Sequence, residues 1–252
     1  RMAKIADDEV LRTILDAHGG LDYWRSLSAL DIEYSAWGFL FKAKRISPLS
    51  HARLTVRTQT PDVVLHDYPV AGQRAVLHGA DLVEIRDSAG SVLQTRTNPR
   101  EAFGNWSRLF RWDAMDFAYF SNYAMWNYLT LPFLLLHREV TVEASSHRAP
   151  VDETRLTVGF PGALPTHSPI QELYFDRSGH LLRHDYTAEV VGSWARAVHL
   201  CDHYRQFGGL WLPTTRRVYP KGPFNRALPF PTLVAIDIHS VHPISAATAK
   251  PI

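Results

Sequence analysis

The sequence has 252 residues, of which 46% are hydrophobic and 21% charged, and its formal net charge is +2. This composition is ordinary for a globular protein and fits one large domain or two small ones. So small a positive charge, without a recognition motif, gives no reason to expect nucleic acid as a partner. The single cysteine, Cys201, excludes an internal disulfide and any need for an oxidising compartment.

The beginning of the chain bears on its location. Residues 1–10 lack the apolar core of a signal peptide, and Arg1 before Met2 resembles the remnant of a tag. We therefore expect a cytoplasmic protein, or a secreted or periplasmic one if a signal peptide has been removed. No change of composition marks a linker, so we expect a single domain over residues 1–252, with a frayed tail over 243–252.

Helix signals come first along the chain, and strand signals follow. Acidic residues at 7–9 open a helix that ends at Gly19-Gly20, and one more helical turn is expected over 21–27. From Ala29 the hydrophobic period changes to two, the period of a half-buried strand. Short strands are predicted in the segments 29–40, 51–59, 62–68, 73–79, 81–87 and 91–97.

A helical insert is predicted over residues 98–136. Asn98 is placed to cap its first helix, and Pro99 stands at the first helical position. The second helix lies within residues 112–136. Within it, the stretch 117–136 carries no charged side chain, and its aromatic residues fall on every side of a helix. A helix that is apolar all round is either buried in a core or spans a membrane.

The membrane alternative is disfavoured by the polar residues of this helix. Ser121, Asn122 and Asn127 would lie in hydrocarbon, where their polar groups lack partners. Pro132 ends the helix near Thr130, because proline has no N–H to continue it. We therefore expect a buried central helix and no stable membrane insertion.

Strands resume after the insert and complete the fold. They are predicted in the segments 138–146, 151–160, 169–176, 180–191, 194–207, 210–219 and 232–241. About a dozen antiparallel strands around one apolar insert predict an α+β fold, mostly antiparallel β, in which a single curved sheet or open half-barrel wraps the insert. The proline-rich loop 219–231 is either a lid or binding loop, or a stiff surface connection.

Two stretches carry a resemblance to a known family. Residues 17–27, AHGGLDYWRSL, and residues 204–219, YRQFGGLWLPTTRRVY, resemble the opening and closing signatures of lipoprotein-carrier-like (LolA-like) proteins. The resemblance implies an open antiparallel half-barrel closed by helices, with a hydrophobic cavity for acyl chains. The aromatic insert is similar instead to uncharacterised cytosolic bacterial proteins of comparable length. The thirteen histidines also depart from the carriers.

A candidate site follows from the strand register around residues 191–194. A two-residue turn there would pair Glu189 with Arg196 and Arg183 with Asp202. These are two opposite-charge pairs on one face of the hairpin, which we expect to face solvent.

The other face of this hairpin is expected to line the concave interior. It carries three pairs of opposite residues, which are Tyr186 and His199, His184 and Cys201, and Leu182 and His203. A three-residue loop in the preceding hairpin would place Glu172 beside His184, and a slip of one residue would turn Glu172 to solvent. A turn at Gly208-Gly209 would place Arg216 beside Cys201.

This row of residues predicts a site for acid–base chemistry. His184 and Glu172 are candidate catalytic residues, because a carboxylate beside a histidine in an apolar cavity is a general base tuned towards neutral pH. Tyr186 would donate to a developing oxyanion, with His199 beside it. The alternative is a polar network that lines or braces a cavity. The residues expected to bind the ligand are Trp112, Phe117, Tyr119, Tyr123, Trp126, Cys201, His203 and Arg216.

Metal and cofactor chemistry are not expected. His199, Cys201 and His203 share a face, but the outer two lie roughly 13 Å apart along a strand, too far to hold one zinc ion readily. Cys201 is interpreted as a small core residue rather than a nucleophile. The sequence contains no phosphate-binding loop, dinucleotide fingerprint or nucleophile elbow.

Two functions are weighed against each other, and a third, a purely structural interaction protein, has only the proline-rich loop 219–231 in its favour. The first is a cofactor-independent enzyme, such as a lyase, isomerase or cyclase, that acts on an apolar or aromatic small molecule by acid–base catalysis. The second is a non-catalytic carrier or sensor of a lipid or other hydrophobic ligand. The sequence favours the first, because a simple lipid pocket gains nothing from burying so many titratable groups.

Overall fold

The computed structural model describes residues 8–145 and 152–248. Its strands form one open antiparallel sheet with β6 and β7 at the edges, in the order 6-5-4-3-2-1-13-12-11-10-9-8-7. The predicted fold class is thereby confirmed. The strands are β1 Leu27–Trp37, β2 Leu49–Arg57, β3 Val63–His66, β4 Arg74–His78, β5 Leu82–Arg86, β6 Val92–Thr97, β7 Thr141–Ala144, β8 Glu153–Gly159, β9 Ile170–Asp176, β10 Leu181–Thr187, β11 Arg196–Phe207, β12 Leu210–Pro220 and β13 Val234–Ser245.

Within the described residues, four α-helices and several short 3-10 helices accompany the sheet. The α-helices are α1 Asp8–Ala17, α2 Leu21–Ser26, α3 Phe39–Lys44 and α4 Ala114–Thr130. The 3-10 helices are Pro99–Gly104, Trp106–Leu109, Phe133–Leu136, Pro223–Asn225 and Ala246–Thr248. The insert 98–136 is therefore helical, as predicted. Asn98 does not cap it with its side chain, because its own backbone is left-handed, with φ 46°.

Helix α3 was not predicted. The strand expected to reach residue 40 ends at Trp37, and Gly38 turns the chain with φ +139°. An added Cβ at Gly38 would crowd the carbonyl oxygen of Leu233, so the turn needs glycine. The following N–H groups of Phe39 and Leu40 donate to the carbonyls of residues 232 and 233. These bonds fix α3 against the segment that leads into β13.

A capping box starts the central helix α4. The Asp113 carboxylate accepts from the N–H of Asp116 at 2.8 Å, and the Asp116 carboxylate accepts from the N–H of Asp113 at 2.9 Å. Arg96 on β6 donates to both carboxylates. Asp116 is fully buried, so these bonds compensate a charge that would otherwise be costly.

Helix α4 is buried on every side, with Ala114 its only residue that is not. On the sheet side, Ser121 bonds the Tyr34 hydroxyl, and Trp126 donates to the carbonyl of Arg57 at 3.1 Å. On another side, Asn127 donates to the carbonyl of Pro165 in loop 160–169 at 2.7 Å. The all-round apolar pattern is therefore explained by burial. No helix in the described residues is long and apolar enough to cross a membrane.

The end of α4 follows the sequence prediction. The helix stops at Thr130, and Leu131 before Pro132 is extended, with ψ 139°. At the other end of the chain, the prediction of a frayed tail from residue 243 is wrong at its start, because β13 continues through Ser245 and Pro243 pairs with Leu30. The residues 249–252 of the predicted tail lie outside the described residues.

The two stretches that resemble LolA-like signatures pack against each other. The N–H of Trp211 donates to the carbonyl of His18, and the His18 ring lies 3.2 Å from the hydroxyl of Tyr204. Gly19 passes so close to Gly209 that an added Cβ would collide with its carbonyl oxygen. The end of α1 is thereby held on the β11–β12 turn.

Candidate functional site

A cavity of about 310 Å³ lies between α4 and the inner face of the sheet. Its walls come from α3, α4, loop 188–195 and the strands β1 and β10 to β13. Phe39, Leu109 and Trp194 line the cavity and are also 51%, 38% and 72% exposed, so the cavity opens to solvent beside them. We call this part the opening.

The walls of the cavity are mostly apolar. Phe117, Phe120, Ala124 and Met125 line it from one face of α4. No Asp or Glu contributes to the described wall, whereas three cationic residues do, which are Lys44, Arg196 and Lys221. The pocket therefore has the apolar surface and the few polar groups typical of small-molecule sites.

The predicted register of β10 and β11 is wrong by two residues. Their hairpin closes at Thr187 and Arg196 through loop 188–195, not through a two-residue turn. His184 consequently pairs with His199, and Tyr186 pairs with Ala197. A shift of two keeps every side chain on its face, so the histidines and Tyr186 still point to the same side.

The predicted outer charge pairs are also absent. Arg183 bonds Asp185 on its own strand at 2.6 Å instead of Asp202. Glu189 accepts from Arg100 at 2.8 Å instead of pairing with Arg196. The strand pairing explains the change, because Leu200 instead of Asp202 lies opposite Arg183, and Glu189 lies in loop 188–195, outside the paired strands.

The predicted His184–Glu172 dyad is not formed. A bulge between Leu181 and Arg183 shifts β10 against β9 by one residue, so Glu172 pairs with Asp185 and lies on the opposite face from His184. Gln171 lies where Glu172 was predicted, beside His184, and its Oε1 is 2.5 Å from His184 Nε2. The Gln171 amide nitrogen donates to Thr166 and Ser168, so its oxygen accepts from the histidine.

The predicted pairing of Cys201 with Arg216 is confirmed. The two residues are opposite each other on β11 and β12, and the guanidinium Nη1 lies 3.3 Å from Cys201 Sγ. Nη2 donates to the Tyr128 carbonyl at 2.9 Å. Arg216 is 1% exposed and forms no ion pair with a carboxylate of the described residues. It is a buried cation braced by neutral acceptors and by the Tyr128 ring, 5.2 Å away.

A chain of hydrogen bonds joins this arginine to the wall of the cavity. The bonded pairs are Arg216 with His199 at 3.4 Å, His199 with Tyr186 at 3.4 Å, Tyr186 with Tyr128 at 2.9 Å, Tyr128 with His167 at 2.7 Å and His167 with Tyr123 at 3.1 Å. We call Tyr123, Tyr128, His167, Tyr186 and His199 the inner polar cluster. Its members Tyr128, His167 and Tyr186 line the cavity.

The arginine sets the direction of these bonds. A guanidinium only donates, so His199 accepts at Nε2 and donates from Nδ1 to Tyr186. Tyr186 must then donate to Tyr128, and Tyr128 to His167 Nε2. His167 donates from Nδ1 to Tyr123. Both histidines are therefore neutral rings with the proton on Nδ1.

Burial supports the same protonation states. Removal from water, and then the charge of Arg216, lowers the pKa of His184 to about 3. Burial also lowers the pKa of His167 and His199 well below the usual range and raises that of Tyr186 well above it. The predicted tuning of His184 towards neutral pH is therefore not found, because no carboxylate offsets its burial.

The predicted ligand-binding residues are divided by the structure. Phe117 lines the cavity. The three residues that are buried elsewhere and do not line it are Trp112, Tyr119 and Trp126. Tyr123, Cys201 and Arg216 form a layer behind Tyr128 and Tyr186. His203 is 71% exposed beside Asp202 and lies away from the cavity, because its φ of +54° turns the chain locally.

His167 is the residue of the candidate site that sequence reasoning missed. It stacks on Tyr186, with ring centroids 3.9 Å apart, and it connects Tyr123 to Tyr128. It lies in loop 160–169, where no strand or helix period assigns a side chain to a face. Arg100 donates to the carbonyls of Thr166 and His167 and so holds this loop against the insert.

Comparison with known proteins identifies the fold. No family model and no curated protein matches the chain. Among solved structures, it is similar to a LolA superfamily protein from Nitrosomonas europaea, with a TM-score of 0.51 and 9% identity over 94% of this chain and 93% of that one. It is also similar to a DUF1329 family protein from Desulfovibrio piger, with a TM-score of 0.50 and 12% identity over 93% and 92%. The predicted LolA-like fold is confirmed.

Proposed function

We propose that the protein binds a hydrophobic small molecule in the cavity between α4 and the sheet and acts as its non-catalytic carrier. The observation that carries the proposal is the cavity itself, about 310 Å³ of space with mostly apolar walls between the central helix and the sheet. Interiors rarely keep such space unless it is used. The LolA-like fold agrees with this function. A cytoplasmic location stays a prediction.

The arrangement of polar groups supports binding more than catalysis. The carboxylate predicted to partner His184 lies on the other face of β9, and His184 is outside the cavity wall. The members of the inner polar cluster that reach the wall, Tyr128, His167 and Tyr186, already satisfy one another. A satisfied neutral cluster braces a cavity without offering a charged base.

Binding can be tested with the neutral fluorescent probe N-phenyl-1-naphthylamine. We expect the probe to brighten when the protein is added and to be displaced by 1-dodecanol. Ala124→Phe fills the cavity from α4, so it should weaken probe binding at least tenfold. Ala89→Phe, at an exposed position in the β5–β6 turn, is the control and should leave binding unchanged. Equal binding by both variants would contradict the proposal.

The second candidate function is an acid–base enzyme that uses the same cavity. The observation in its favour is that Tyr186, a predicted catalytic residue, lines the wall with His167 stacked on it. An enzyme would turn over a bound ligand, and Tyr186→Phe would abolish turnover while probe binding persisted. Recovery of an unaltered ligand after prolonged incubation would support the carrier.

A further inference from the structure

We propose that the ligand is an amphiphile with an anionic head group, which Lys44 and Arg196 bind while the hydrocarbon occupies the apolar cavity. The inference rests on the proposed function and names the class of ligand. It is based on the charges of the wall, because cationic side chains line the otherwise apolar cavity and no acidic side chain of the described residues does.

Lys44 is the first observation. It ends α3, lines the cavity and is only 4% exposed. Its Nζ donates to the carbonyls of Arg108 and Leu109 at 2.9 and 2.8 Å and lies 5.4 Å from the centre of the Trp112 ring. An ammonium has three donors, so one is left after these two bonds.

Lys44 lacks a countercharge. Across residues 8–145 and 152–248, no carboxylate lies within 4.0 Å of its Nζ. A buried cation is costly unless an anion or several acceptors compensate it. Leu109, whose carbonyl accepts from Lys44, borders the opening, so a ligand entering there meets the lysine early.

Arg196 is the second observation, and it is independent of the first. It lines the cavity directly after Trp194 and Ala195, at the end of loop 188–195. Its side chain is exposed and forms neither a hydrogen bond nor an ion pair with the described chain. The carboxylate predicted to pair with it, that of Glu189, bonds Arg100 instead.

Lys221 shows what a compensated cation on the same wall looks like. Its Nζ lies 2.8 Å from Asp185, which also pairs with Arg183. Lys44 and Arg196 have no such partner, and no acidic side chain lines the described wall. A carboxylate or phosphate monoester on a hydrocarbon tail would supply a negative charge to both cations, whereas a neutral lipid would leave the buried Lys44 without a countercharge and Arg196 with water alone.

The test compares ligands that share one tail and differ in the head group. Laurate, monododecyl phosphate, 1-dodecanol and dodecyltrimethylammonium would each compete with N-phenyl-1-naphthylamine for the protein. We expect at least one anion to bind roughly ten- to hundredfold more tightly than dodecanol, the ratio that one charge-assisted hydrogen bond supplies. The cationic amphiphile should bind more weakly than dodecanol. The two anions separate a carboxylate ligand from a phosphate ligand.

Substitutions locate the preference. Lys44→Met keeps an unbranched side chain one atom shorter and removes its charge, so it should reduce the preference for the anion several-fold, and Lys44→Met with Arg196→Gln should abolish it. Dodecanol binding reports that the cavity of each variant is intact. If Lys44→Met does not fold, two other variants replace it. Lys44→Arg, which keeps the charge, should keep the preference for the anion, and Arg196→Gln should reduce it. Lys42→Met, at an exposed position of the same helix, is the matched control.

The outcomes separate the two proposals. If neither the probe nor dodecanol binds the wild-type protein, the proposed function fails. If dodecanol binds as tightly as both anions, or if the double variant keeps the preference, the head-group inference is overturned while hydrophobic binding stands. A preference that Lys42→Met abolishes would also overturn it.

Discussion

The hydroxyl groups of Tyr128 and Tyr186 lie 2.9 Å apart and join helix α4 to strand β10 at the wall of the cavity. Both residues line the cavity, so this polar contact connects the helix to the sheet at its wall. Because Arg216 can only donate, this bond runs from Tyr186 to Tyr128 and onward to His167. The cluster therefore has one consistent set of donors and acceptors.

The first prediction concerns this direction. Tyr128→Phe leaves Tyr186 without an acceptor and His167 Nε2 without a donor, whereas Tyr123→Phe leaves only His167 Nδ1 without an acceptor. Each unsatisfied buried group costs about 1–3 kcal/mol. Urea denaturation should therefore show a larger loss of unfolding free energy for Tyr128→Phe. Tyr219→Phe, which removes a hydroxyl with no hydrogen bond in the described structure, should be nearly neutral.

The second prediction concerns pH. Burial lowers the pKa of His184 to about 3 and that of His18 to about 4, while His167 and His199 are also shifted down. Below the unfolded value of about 6.5, the unfolded chain binds protons that the folded chain does not. The stability that these histidines contribute by staying neutral is therefore fully present above about pH 6.5, and it is lost as the pH decreases towards 4. Urea midpoints measured at pH 7, 6 and 5 should fall in that order.

A substitution shows how much of this pH dependence of the unfolding free energy comes from His184. His184→Gln removes one such proton, so the unfolding free energy should depend less on pH between 6 and 4, by up to about 1.4 kcal/mol per pH unit. A steeper slope in His184→Gln would show that His184 is charged in the folded protein.

The third prediction concerns the contact between Gly19 and Gly209. Gly19 has φ +116°, and an added Cβ would collide with the Gly209 carbonyl oxygen. Gly19→Ala should therefore lower the unfolding free energy by more than about 1 kcal/mol, as incompatible alanines do. In Gly104→Ala the new methyl group meets nothing within 4 Å, so its thermal midpoint should match the wild type. Equal midpoints for the two variants would contradict the close approach.

The parts of the fold that the sequence predicted are those fixed by local signals. The all-round apolar pattern of α4 and the stop at Pro132 predict a buried helix that ends at Thr130. The Gly208-Gly209 turn joins its strands directly, so counting outward from it pairs Cys201 with Arg216 correctly. The pairing of two strands can be predicted where the turn that joins them is short and its conformation is fixed by glycine.

The site could not be predicted in the same way. Loop 188–195 moves the β10–β11 register by two, and the bulge at the start of β10 moves the β9–β10 register by one. An even shift keeps the face of every side chain, but an odd shift replaces Glu172 by Gln171 beside His184. The segment of β10 with the bulge, between Leu181 and Arg183, contains no glycine that would have marked it in the sequence.

The most direct test of hydrophobic binding uses the two methionines of α4. Met125 lines the cavity, whereas Met115, equally buried in the same helix, does not. With methyl-labelled methionine, NMR titration of the protein with 1-dodecanol should shift the Met125 methyl resonance saturably and leave that of Met115 in place. If dodecanol shifts neither resonance, or shifts only Met115, the cavity is not where the protein binds a hydrophobic ligand.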